Sequence, residues 1–169
     1  LALGDSYTIG EGVEIPARWP NQLVARLKNN EVAISSPVII TQTGWRSDVL
    51  QDSIELTMGI ESGSFDLVSL LIGVNDQFQG KDISLFPENF SMLLDTAISF
   101  GKKGHESVFV VSIPDYSATP YGQGLISPIE PDNLQKISKE IDAYNEICRQ
   151  ICDEKGVLFV SITEISRGH

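Results

Sequence analysis

Apolar runs without clean polar alternation punctuate the chain at Leu67 to Ile72, Val108 to Ile113 and Val157 to Ile162, as expected of strands covered on both faces. Leu1 to Leu3 and Pro37 to Thr41 read as two further strands, and the run ending at Ile72 begins as early as Phe65. Between them the period changes to that of a helix. Phe86, Phe90, Leu93, Leu94, Ala97 and Ile98 share one helical face, with Gly101 and Gly104 as stop signals. Leu134, Ile137, Ile141, Tyr144, Cys148 and Ile151 mark a longer helix, begun by a capping pair of Asp132 with Gln135 and ended by Gly156. Two more helices are predicted over Pro20 to Asn29 and Ser47 to Met58.

Strand and helix therefore alternate through five strands, which predicts right-handed crossovers and helices on both faces of a parallel sheet. The expected fold class is α/β, a flavodoxin-like three-layer α/β/α sandwich with a parallel five-stranded sheet. One segment breaks the rhythm. Pro114 to Pro131 carries four prolines, two glycines, Tyr116 and Tyr121, too much for an ordinary connection, and because it follows a strand it should overhang the sheet edge where such folds bind ligands.

Composition adds limits. The 169 residues fit one domain, 1–169, and a chain that opens inside a strand at Leu1 and stops soon after another at Arg167-Gly168-His169 reads as cut at both ends. A formal net charge of −11 with no basic cluster argues against nucleic acid or an anionic membrane as partner and for a small neutral or weakly charged substrate. No apolar stretch reaches the ~18 residues of a membrane span. Cys148 and Cys152 are four apart on one predicted helix with no histidine nearby, which fits buried thiols and neither a disulfide framework nor a metal site. Compartment and oligomeric state are left open.

The chemistry gathers in three short polar turns, each after a predicted strand: Gly4-Asp5-Ser6, Thr43-Gly44-Trp45 and Gly73-Val74-Asn75-Asp76. Each has an ordinary reading as a turn or helix cap. Their shared register at the carboxyl ends of successive strands changes that, because it brings a serine hydroxyl, a glycine amide and an asparagine amide to one edge. A nucleophile with two oxyanion donors is the set an acyl-transfer site needs, and each donor is worth about 3 to 4 kcal/mol at a tetrahedral oxyanion. Asp5 reads first as a turn-bonding or buried carboxylate, Asp76 as a cap of the turn that follows it, and Trp45 and Phe78 equally as pocket wall or core.

The three blocks, in this order and spacing, resemble those of the SGNH hydrolases, also called GDSL esterases/lipases, over essentially the whole chain. The resemblance implies that Ser6 attacks an ester carbonyl while the amides of Ser6 and Gly44 and the Asn75 side chain hold the oxyanion, with no metal or organic cofactor. It also implies an Asp-x-x-His segment after the last strand, and here the chain departs from the pattern. Ser166 stands three residues before His169, and His105 precedes a strand and so belongs at the opposite edge. A serine without a base is a poor nucleophile at neutral pH, so the expectation is an Asp-x-x-His segment beyond residue 169. Small soluble esters or acetyl groups are favoured over interfacial lipids. The alternatives are a non-catalytic small-molecule or carbohydrate-binding module on the same fold, and a nucleotide or flavin binder, the last opposed by the lack of a glycine-rich phosphate loop after the first strand.

Overall fold

The computed structural model describes residues 1–57, 59–126 and 131–168, with the backbone alone described at 125, 126, 131 and 132. Five strands, β1 (Ala2–Gly4), β2 (Ile39–Thr41), β3 (Val68–Leu71), β4 (Val108–Val111) and β5 (Leu158–Val160), form one all-parallel sheet in the order β2-β1-β3-β4-β5. The principal helices are α2 (Trp19–Asn29), α3 (Ser47–Leu56), α5 (Phe86–Phe100) and α7 (Pro131–Lys155), and four short ones, α1 (Ser6–Ile9), α4 (Val74–Phe78), α6 (Pro120–Ile126) and α8 (Thr163–Arg167), follow strands or loops. This is the predicted α/β architecture, and its strand order is that of a flavodoxin-like sheet, with the switch point between β1 and β3.

The core lies on one face of the sheet. Leu3, Ile40, Val68, Leu70, Val108 and Val110 form a single buried cluster with Leu50 and Ile54 of α3, Phe90, Leu93, Leu94 and Ala97 of α5, and Ile141, Tyr144 and Cys148 of α7. These helix positions recur at three- and four-residue steps, so the stripe read from the sequence is the stripe that packs. Both cysteines are free and buried on α7, and burial pushes the Cys148 thiol well up and that of Cys152 to about 12, so both stay protonated at neutral pH.

The opposite face is covered less evenly. Leu23 and Val24 of α2 border a cavity of about 220 Å³ with Ala2, Ser69 and Phe109. On β5, Leu158 is 65% and Val160 36% exposed, so this strand is not covered on both faces as its apolar run implied. The reason is position: β5 is the sheet edge, two strands away from the β1–β3 region where α2 packs.

Other boundaries moved by a turn or less. The third strand is shorter than Phe65 to Ile72, Phe65 instead making an isolated bridge to Gly101. The helix expected to reach Met58 ends at Leu56, with Met58 outside the described residues. The Asp132 side chain, half of the capping pair expected at the start of α7, also falls outside them. The long Pro114 to Pro131 segment is no structureless loop: it holds a 3₁₀ turn at Tyr116–Ala118 and then α6, while 127–130 lie outside the described residues.

Candidate active site

Strand register explains why three distant turns meet. Gly4 is level with Thr41 on one side and Leu71 on the other, so Ser6, Thr43 and Gly73 each begin two residues past a common line across the sheet. Gly4 must be glycine, because an added Cβ would collide with Thr8 Oγ1 and with the Leu71 carbonyl oxygen. Gly73 turns the chain at φ 122°, a conformation that an L side chain rarely adopts, and Ile113 and Phe86 leave no room for one.

Ser6 opens α1. The Asp5 carboxylate caps that helix by accepting from the Tyr7 amide at 3.0 Å, and Gly10 closes it in the left-handed region at φ 68°. Ser6 is half-buried, and neither its hydroxyl nor its amide has a hydrogen-bond partner among the described residues. Asp5 is fully buried with Oδ2 unpartnered, and loss of solvent raises its pKa to about 7 against the pull of the Tyr7 amide.

Asn75 and Gln79 stand one helical turn apart on and just after α4, and they hold the second turn together. Asn75 Nδ2 donates to the Trp45 carbonyl at 2.9 Å, and Gln79 Nε2 donates to the Gly44 carbonyl at 2.9 Å. With both carbonyls pinned from α4, the backbone orientation of Gly44, at φ 83°, is set, and its own amide is free of backbone acceptors among the described residues. An amide nitrogen carries two hydrogens, so Asn75 keeps one for a ligand. Asp76 does not cap its own turn as expected; it accepts from the Ser47 amide at 3.0 Å and the Ser47 hydroxyl at 2.6 Å, fastening the start of α3.

Ser6, Gly44 and Asn75 thus line one open cavity of about 600 Å³ together with Tyr7, Glu11, Thr43, Phe78, Gln79, Tyr116 and Tyr121. Trp45 packs toward the core, whereas Phe78 is exposed and belongs to the cavity wall. The described part of the Pro114 to Pro131 segment overhangs this edge, since Tyr116 and Tyr121 come from it, and the Tyr116 hydroxyl donates to Gln77 Oε1 at 3.0 Å. Glu11 was not singled out from the sequence. It reaches the site because Gly10 reverses the chain after α1, and its carboxylate accepts from Thr43 Oγ1 at 2.8 Å. Gln79 was legible in principle, four residues after Asn75 on the same helix face.

His105 lies exposed in the 3₁₀ turn before β4, at the amino edge of the sheet and away from Ser6, as its position predicted. His169 lies outside the described residues. Ser166, at the place where the motif has aspartate, accepts from the Asp115 amide at 2.9 Å. No group of three or more metal-ligating side chains occurs among the described residues, and no helix among them is long and apolar enough to cross a membrane.

The sequence profile of the GDSL-like lipase/acylhydrolase family matches residues 2–169. The chain belongs to that family. No curated protein matches it by sequence. Among solved structures, a member of the lipolytic protein G-D-S-L family from Veillonella parvula DSM 2008 superposes with a TM-score of 0.69 at 17% identity, covering 96% of this chain and 76% of that one. The lipase/acylhydrolase from Enterococcus faecalis gives 0.65 at 16% identity over 99% and 77%. The psychrotrophic esterase EstA from Pseudoalteromonas sp., solved inhibited by monoethylphosphonate, gives 0.59 at 15% identity over 95% and 74%. At these identities the neighbours establish a shared GDSL-type fold, and the chemistry must be argued from the residues above.

Proposed function

We propose that this GDSL-family chain is a carboxylic ester hydrolase working through a Ser6 acyl-enzyme. Ser6 Oγ attacks the carbonyl carbon and gives up its proton to a base. The oxyanion accepts from the Ser6 and Gly44 amides and from Asn75 Nδ2, the alcohol leaves with a proton, and water repeats the sequence on the acyl-enzyme. The observation that carries the reading is the pair of carboxamides one turn apart, Asn75 and Gln79, which grip consecutive carbonyls of the Gly44 turn beside the Ser6 hydroxyl. Such a preorganised donor set needs no reorganisation as negative charge develops. The reaction draws on no cofactor.

The described residues do not supply the base, and the second reading is a binding protein on the same fold. One experiment separates them. Intact mass is measured on the full protein after exposure to a fluorophosphonate, a reagent class motivated by the phosphonate-inhibited EstA, with Ser6→Ala alongside. A single adduct lost in Ser6→Ala is expected, because only a serine activated by a base attacks phosphorus at a useful rate. Absence of an adduct would leave the binding reading.

A further inference from the structure

The wall around Ser6 is rich in aromatic side chains. Four of its members are aromatic, Tyr7, Phe78, Tyr116 and Tyr121, and Glu11 is the one charged residue lining it among those described. Core packing does not account for all of these rings: Phe78, the last residue of α4, is 58% exposed and Tyr121, in α6, 69%. Phe78 meets Tyr116 edge to face, with centroids 5.9 Å apart at 70°, so the buried Tyr116 ring supports the exposed Phe78 ring at the cavity wall. Burial keeps the Tyr7 and Tyr116 hydroxyls protonated, their pKa values raised, so these rings add no full charge. Glu11 is held at the rim from two sides, its amide donating to the Ser6 carbonyl at 3.1 Å and its carboxylate accepting from Thr43 Oγ1.

A set of aromatic side chains with one carboxylate and no cation among the described residues of this cavity favours positive charge, and Lys81, Lys136 and Lys139 lie in the adjoining cavity that Phe78 and Tyr116 also border. The ring quadrupole attracts a cation over its face, most strongly one that is already poorly hydrated, as an alkylated ammonium is. The molecule as a whole, at net −11, adds attraction of the same sign. We propose that the substrate is an ester bearing an ammonium group, quaternary or alkylated, a few bonds from the scissile carbonyl, with the cation seated among Phe78, Tyr116 and Tyr121 and faced by Glu11. The inference rests on the esterase reading for the reaction and on the cavity alone for the binding. A plain apolar acyl pocket is the rival, because aromatic walls also accept hydrocarbon.

The discriminating probe is choline against its neutral carbon isostere, in which a tert-butyl group replaces the trimethylammonium. Both are titrated by calorimetry into the full protein. Choline is expected to bind at least about tenfold more tightly, with the ratio falling severalfold in Glu11→Gln and again in Phe78→Leu, both exposed positions whose replacement leaves the core intact. Equal binding, or tighter binding of the isostere, overturns the inference and leaves an apolar pocket. Hydrolysis of the two corresponding acetate esters is then compared. Choline discrimination without hydrolysis of either ester retains the cation site and removes the esterase reading, whereas hydrolysis of both at equal rates does the reverse.

Discussion

Asp5, beside the proposed nucleophile, couples the site to pH. Unfolded, an aspartate titrates near pH 4, whereas loss of solvent puts Asp5 at about 7 in the fold. Between those values the folded protein keeps a proton that the unfolded chain has released, so stability falls as pH rises through the window and is level above about 7. Asp76, also raised by burial, adds to the same slope, while Asp115, whose pKa is lowered, acts below the window. Asp5→Asn keeps an acceptor for the Tyr7 amide and removes the titration. The expected result is a shallower fall in Tm between about pH 5 and pH 7, by about 2 kcal/mol of stability across the window, read by calorimetry at several pH values; an unchanged slope would clear Asp5 as the source. Asn75→Ala tests the donor. It should lower kcat by about 10²- to 10³-fold and, by leaving the Trp45 carbonyl without its partner, lower stability by about 1–2 kcal/mol. Gln79→Ala removes a restraint on the same turn but no oxyanion donor, so its loss of kcat should be much the smaller.

The elements that carry the site are joined through one buried ion. Asp115, 1% exposed, follows β4 and accepts from the Ser117 amide and hydroxyl, from Ser138 Oγ of α7 and from Arg167 Nε of α8. Burial raises its pKa, and these hydrogen bonds outweigh burial, so the carboxyl is lowered overall and stays ionised. Arg167 also pairs with Asp142 at 2.7 Å and Glu164 at 2.6 Å. The clamp thus fixes the root of the segment that delivers Tyr116 and Tyr121. Arg167→Ala leaves a buried carboxylate without its cation and should cost about 3 kcal/mol in urea denaturation, with much of the loss recovered in Asp115→Asn/Arg167→Ala. None of this was legible from the sequence, because Asp115, Ser138 and Arg167 are far apart in the chain and share no periodicity. What was legible obeyed local rules: the α5 and α7 stripes, and the strand-end turns at Ser6, Gly44 and Asn75. β5 shows where such rules stop. Its apolar run is the same in kind as that of β4, and only its place in the sheet order, a property of the whole topology, decides that Leu158 meets solvent.

At the scale of the molecule, charge is the property that bears on function. A net charge of −11 and a sequence pI near 4.5 set a negative potential around a cavity whose one charged wall residue among those described is also acidic. The family assignment leaves the sign of the substrate open, and the proposed cationic substrate is the one this field favours. The field draws cations inward, repels anions and is indifferent to neutral esters, so it discriminates before any contact forms. Exposed charges separated by more than a Debye length are screened, and raising salt from about 0.01 M to about 0.1 M shortens that length from about 30 Å to about 10 Å. Distant carboxylates should therefore drop out over this range, while the short-range attraction of the rings and Glu11 persists. Choline affinity is expected to fall severalfold across it and then level off, still above that of the neutral isostere, whose affinity should hardly change. A loss of all preference at high salt would assign the selectivity to net charge alone and remove the aromatic wall from it. A preference insensitive to salt would place it wholly in the cavity.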